Sequence, residues 1–95
     1  METGKEIPSD FRLGQNYPNP FNPTTNISFD LPKAEYVILK VYSLLGKEIA
    51  TLVSGNFPAG RHIATFDASG QASGVYLYKL QSSSFVQTRE MLLGR

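Results

Sequence analysis

The chain has 95 residues, 41% of them hydrophobic and 12% aromatic, which suits one domain with a single modest core rather than a disordered linker. Nine Lys and Arg against eight Asp and Glu give a formal net charge of +1 with no run of like charge, so nothing offers an electrostatic grip on nucleic acid or anionic lipid. The absence of cysteine excludes disulfides, thiolate nucleophiles and cysteine-based zinc sites.

Met1 to Asp10 mixes charge, Gly and Pro without periodicity and reads as a flexible linker before a folded unit from Phe11 to Arg95. No early apolar run is long enough for a signal peptide, and no stretch approaches the roughly 20 apolar residues of a membrane span. The expectation is a module that neither inserts in a membrane nor carries its own amino-terminal export address. Phe11 and Leu13 alternate with Arg12 and Gly14, a short first strand.

In "NYPNPFNP", Pro18, Pro20 and Pro23 fix their own backbone and push each preceding residue toward extended geometry, which excludes helix. Asn16, Asn19 and Asn22 could offer oxygens to calcium, but that ion favours carboxylates and the stretch has none before Asp30. The plainer reading is a rigid crossing between the first and second strands. Its asparagines would bond their own backbone, and Tyr17 and Phe21 would turn into the core as plugs.

From Thr24, Ile27, Phe29 and Leu31 alternate with Asn26, Ser28 and Asp30, the period-two signature of a strand with one wet face, and Pro32 stops it. "EYVILKVYS" places Val37, Leu39 and Val41 on one face and Tyr36, Ile38, Lys40 and Tyr42 on the other. Gly46 in "SLLG" suits a left-handed hairpin position, and Ile49 to Val53 forms the returning strand. "SGNFPAG" is a second turn cluster; His62, Ala64 and Phe66 then alternate with Arg61, Ile63, Thr65 and Asp67.

"DASGQASG" is a polar loop, "VYLYKL" a strand with Tyr76, Tyr78 and Leu80 on one face, and Phe85 to Leu93 a last run that alternates less cleanly. About seven strands without a helix predict an all-β chain, an immunoglobulin-like antiparallel β-sandwich; a jelly roll gives a similar pattern.

No constellation of catalytic, metal or cofactor residues emerges. Asp30 and Glu35 flank a Pro turn and read as a solvated rim rather than a hydrolytic pair. His62 is the only histidine and reads as structural. "NIS" at Asn26 to Ser28 matches a glycosylation acceptor, yet an Asn on a wet strand face needs no such role. Tyr36, Tyr42, Tyr76 and Tyr78 could build a sugar platform, but read more simply as packing between sheets.

The pieces "LGQNYPNPFNPTTNISFDLP", "VILKVYSLLGKEIATLVSG", "PAGRHIATFDASG", "ASGVYLYKL" and "QTREMLLGR" closely resemble, in order and over residues 11 to 95, the C-terminal sorting domain of type IX secretion on exported proteins of Bacteroidetes and related bacteria. The resemblance implies a non-catalytic address label, without cofactor or metal, preceded by a cargo protein. It implies recognition by outer-membrane translocation machinery, then removal by a sortase-like cysteine protease that attaches the cargo to anionic lipopolysaccharide. The cargo would pass through the periplasm to become secreted or bound at the cell surface, and the domain would be a monomer. By position, the resemblance carries the sorting signal to Gly74, Tyr76, Leu80, Thr88, Arg89, Met91 and Arg95.

The chain departs from the family pattern at Ser43, where many relatives have Asp, at Phe66-Asp67-Ala68 in place of Trp-Asp-Gly, and at Glu90, often a basic position. It also resembles immunoglobulin-like domains of flagellar hook-capping proteins, and an accessory spacer of a secreted glycoside hydrolase is a further alternative. Under the sorting reading, the last strand lies on a sheet edge and is read by strand addition. Phe85 and Val86 would anchor it while Gln87, Thr88 and Arg89 face the receptor, and the cut would fall in Met1 to Asp10.

Overall fold

The computed structural model describes residues 7–94. These form seven strands and no helix: β1 (Arg12–Leu13), β2 (Thr24–Leu31), β3 (Glu35–Ser43), β4 (Glu48–Phe57), β5 (Gly60–Asp67), β6 (Gly74–Gln81) and β7 (Val86–Leu93). All pairings are antiparallel, in a three-stranded sheet ordered β1-β2-β5 and a four-stranded sheet ordered β4-β3-β6-β7. This is the expected immunoglobulin-like sandwich, with its fourth strand beside the third instead of beside the fifth. The tight turn after Ser43 enforces that choice, because Gly46 at φ 90° closes a hairpin that keeps β3 and β4 adjacent.

The inward faces are those of the alternation. Ile27, Phe29 and Leu31 of β2 meet Val37, Leu39 and Val41 of β3 and Tyr76, Tyr78 and Leu80 of β6, all buried, with Ala64, Phe66, Met91 and Leu93 completing the core. Full burial of each large aliphatic or aromatic side chain contributes about 1.5–3 kcal/mol. β4 runs further than its composition suggests. Gly55, Asn56 and Phe57 pair in register with Val37, Tyr36 and Glu35, so a regular partner strand overrides the turn-like residues and the turn shrinks to Pro58 and Ala59.

Several expectations need correction. Tyr17 is not a core plug: it is 79% exposed, while Phe21 is buried against Phe66. Tyr36 and Tyr42 do not pack between the sheets. Both lie on the outer face of β3, Tyr36 bonded to Ser54 and Tyr42 beneath the Lys79 ammonium. Six residues apart along one strand, roughly 20 Å, they form no common platform.

Nor are the two carboxylates a solvated rim. Asp30 is buried and accepts two bonds from the Arg61 guanidinium at 2.8 and 3.1 Å, which hold its carboxyl below the ordinary range against the opposite push of burial. Glu35 accepts from the Ser84 and Ser83 hydroxyls at 2.8 and 3.1 Å, lies beside Lys33, and thereby fixes the β6–β7 loop. Those bonds, Ser84's first, lower its pKa. His62 is packed between Phe29 and Phe57, with Nε2 2.8 Å from the Pro58 carbonyl. Of the linker Met1 to Asp10, residues 1–6 lie outside the described residues, and Ile7 is exposed.

Candidate functional site

β7 is an edge of the four-stranded sheet, paired with β6 in unbroken register from Gln81–Val86 to Gly74–Leu93. Strand geometry splits its residues into two sets. Gln87, Arg89, Met91 and Leu93 aim their backbone groups at β6 and their side chains inward, whereas Val86, Thr88, Glu90 and Leu92 have exposed side chains and backbone groups aimed at the outer edge. The expected anchoring pair is therefore half right. Phe85 stacks on Phe11 with centroids 5.1 Å apart, but Val86 is 59% exposed and anchors nothing. Of the three residues expected to face a receptor, only Thr88 points outward.

Part of this edge is already occupied. The proline-rich segment from Gly14 to Pro23 is a strap that starts beside β2, where Tyr17 and Asn26 exchange two backbone bonds of 2.9 Å, and crosses to β7. There the Phe21 N–H donates to the Leu92 carbonyl at 2.9 Å, and the Gly94 N–H donates to the Phe21 carbonyl at 2.8 Å. The Leu92 N–H donates to Asn19 Oδ1 at 3.0 Å, and Gln15 Nε2 donates to the Glu90 carbonyl at 2.8 Å. The three prolines suit this path, because each fixes the backbone and none brings an N–H that would need a partner.

A buried polar network holds the strap from within. The Tyr78 hydroxyl crosses from β6, donates to the Gly14 carbonyl at 2.7 Å and accepts from the Asn16 N–H at 2.9 Å; burial pushes its pKa up. Asn16, 2% exposed, donates through Nδ2 to Thr25 Oγ1 and the Pro18 carbonyl, both at 3.1 Å. Thr25 Oγ1 donates to the same Pro18 carbonyl at 2.8 Å. A buried amide left unpaired costs about 1–3 kcal/mol, so this network allows the strap a single path.

The residues singled out by resemblance scatter in depth. Tyr76, Leu80 and Met91 are core side chains, and Tyr76 and Met91 are direct partners across β6 and β7. Their side chains pack inside the folded domain. Gly74 starts β6 at φ 142°, a conformation that side-chain-bearing residues rarely adopt. Thr88 is exposed, and the half-buried Arg89 donates Nε to the Leu13 carbonyl at 2.6 Å, tying β7 to β1 across the sandwich. Arg95 lies outside the described residues.

Sequence reasoning gave Gln15 no role, took Asn19 to bond its own backbone and foresaw Phe21 only as a plug; all three reach β7 from more than 70 positions away. The exposed Glu90, a departure from the pattern, contributes its carbonyl to that contact rather than its charge.

Among the described residues no group of three or more His, Asp or Glu could hold a metal, and no helix is long and apolar enough to cross a membrane. The fold is a two-sheet β-sandwich in which four hydrogen bonds join the strap to the last strand and the glycine after it. The family described as the secretion system C-terminal sorting domain matches residues 15–93, from the strap's Gln15 to the end of β7. The chain belongs to this family and carries a C-terminal sorting signal for type IX secretion. Membership implies export and interaction with that secretion machinery as the tail of a cargo; the family is one of sorting signals and is typically non-catalytic. Comparison with curated proteins and with solved structures finds no match.

Proposed function

We propose that the folded domain is an address label whose β6–β7 hairpin is bound by the outer-membrane translocation machinery, after which the domain is removed. The observation that best supports this is the position of Thr88 and Arg89 on the one strand where the strap and both sheets meet. In this reading Thr88 faces the partner, Arg89 fixes the strand on β1 beside it, and Arg95 lies beyond the described residues. Gly74, Tyr76, Leu80 and Met91 hold the hairpin in readable form.

A sortase-like cysteine protease then cuts within Met1 to Asp10. Its thiolate takes a peptide carbonyl, the domain leaves with a new amino terminus, and a nucleophile on anionic lipopolysaccharide takes the acyl group, leaving the cargo at the cell surface. The domain acts as a monomer. Export of a reporter fused to the whole domain, with and without Gln87 to Arg95, tests the label. Loss of export on truncation is expected, and equal export of both overturns the reading in favour of a spacer. Sequencing the carboxy terminus of mature cargo tests the cut, and cleavage beyond Phe11 contradicts it.

A further inference from the structure

We propose that the outer edge of β7 from Val86 to Glu90 is a docking site for one extended peptide segment of a partner protein, which adds there as a short fifth strand and stops against the strap. The inference rests on the sorting reading and names how that signal is held. The outward groups of Val86 and Thr88 and the Glu90 N–H make no hydrogen bond among the described residues, whereas the Glu90 carbonyl, both Leu92 groups and the Gly94 N–H are taken by the strap. The strap is thus a working precedent on the same edge: Phe21 already pairs with Leu93 as a parallel strand residue would.

Phe21 is buried and its two bonds are backbone bonds, so the strap is a fixed end stop. The window left is about five residues, roughly 16 Å of strand. Edges are ordinarily blunted by bulges, prolines or extreme shortness. The opposite edge of this sheet, β4, follows that rule with two register shifts against β3, but β7 has none. The exposed Val86 supplies an apolar side chain on the outer face at the mouth of the window, which fits a segment with an apolar side chain at that point.

Proline at position 88 tests this cleanly, because the Thr88 N–H points away from β6 and its loss leaves the hairpin ladder intact. In cargo carrying the whole domain, Thr88→Pro is expected to keep the cooperative thermal transition and to cut export about tenfold or more, while Thr88→Ala, which keeps the N–H and loses only side-chain contact, cuts it by less than about threefold. Val86→Pro, at the first residue of the strand, is the second probe should Thr88→Pro fail to fold, with the same expectation. Parental export by a folded proline variant, while truncation of Gln87 to Arg95 abolishes export, overturns strand addition and leaves the sorting signal standing. Loss of export in Thr88→Ala equal to that in Thr88→Pro also overturns it, in favour of side-chain recognition. A concentration-dependent dimer of the parent that Thr88→Pro abolishes overturns it in favour of a second copy. Export that survives the truncation instead removes the sorting reading itself.

Discussion

The two long sides of the sandwich are closed by different chemistry. On one side β4 passes to β5 through Pro58 and Ala59, and the gap is filled by rings: Phe29, Phe57 and His62, with centroids 5.1 to 6.0 Å apart. On the other side no short connection joins β1 to β7; beside the Phe11–Phe85 stack and the Arg89–Leu13 bond, closure falls to the strap, a directed set of hydrogen bonds anchored by Tyr78, Asn16 and Thr25 inside and by Gln15, Asn19 and Phe21 on β7. Ring packing is non-directional and tolerates small slips; hydrogen bonds between backbone groups do not. The side that carries β7 thus adds directed bonds to its one ring stack.

That contrast breaks most sharply at its two aromatic anchors. Phe21→Ala is expected to cost about 3–5 kcal/mol in denaturant unfolding, as for a fully buried aromatic, out of a total that for small domains is about 5–15 kcal/mol. It should also release the amides of Leu92 and Gly94 to exchange. Phe57→Ala, at a half-buried ring, is expected to cost about 1–3 kcal/mol and to leave those amides protected. Equal protection of Leu92 in the two variants would mean that the strap does not hold the edge.

Tyr78→Phe sharpens the polar half of the comparison. It removes one oxygen, strands the Asn16 N–H and the Gly14 carbonyl, and is expected to destabilise by about 1–3 kcal/mol with little change in apolar packing. Acid probes the face shared by both sides. The Arg61 bonds keep the folded-state pKa of Asp30 below its ordinary value of 3.8, so its contribution is complete above that value and is lost as pH falls through it toward the folded-state pKa. Thermal midpoints of the parent should therefore fall below about pH 4, and Asp30→Asn should start lower at neutral pH but fall less on acidification. Asn19→Ala has the smallest expected effect on stability, within about 1 kcal/mol, and speeds exchange at Leu92 alone.

How far the sequence foretold this follows from the range of each interaction. β2 was legible to the residue, because three apolar side chains alternate with polar ones and Pro32 ends them. The parity of β6 and the core face of β3 followed from the same period. Tyr17 and Phe21 could not be separated: both are aromatic and both precede or follow prolines, and their opposite fates depend on which strand each one bridges. The prolines announced rigidity but not what the rigid segment docks on, since its partners on β7 are encoded far along the chain. Asp30 looked like rim because it is covered by the sheet around it, and its partner Arg61 reaches it only through the β2–β5 register. Of the candidate site, resemblance located the hairpin, while the division of its edge required the fold.

Residue-resolved amide hydrogen exchange along β7 in the folded domain tests the account most directly. The expected pattern is alternation in the first half, with Thr88 and Glu90 fast between slow Gln87, Arg89 and Met91, followed by uniform protection through Leu92 and Gly94. Protection of Thr88 and Glu90 equal to that of Leu92, or a Leu92 as fast as Thr88, would contradict it.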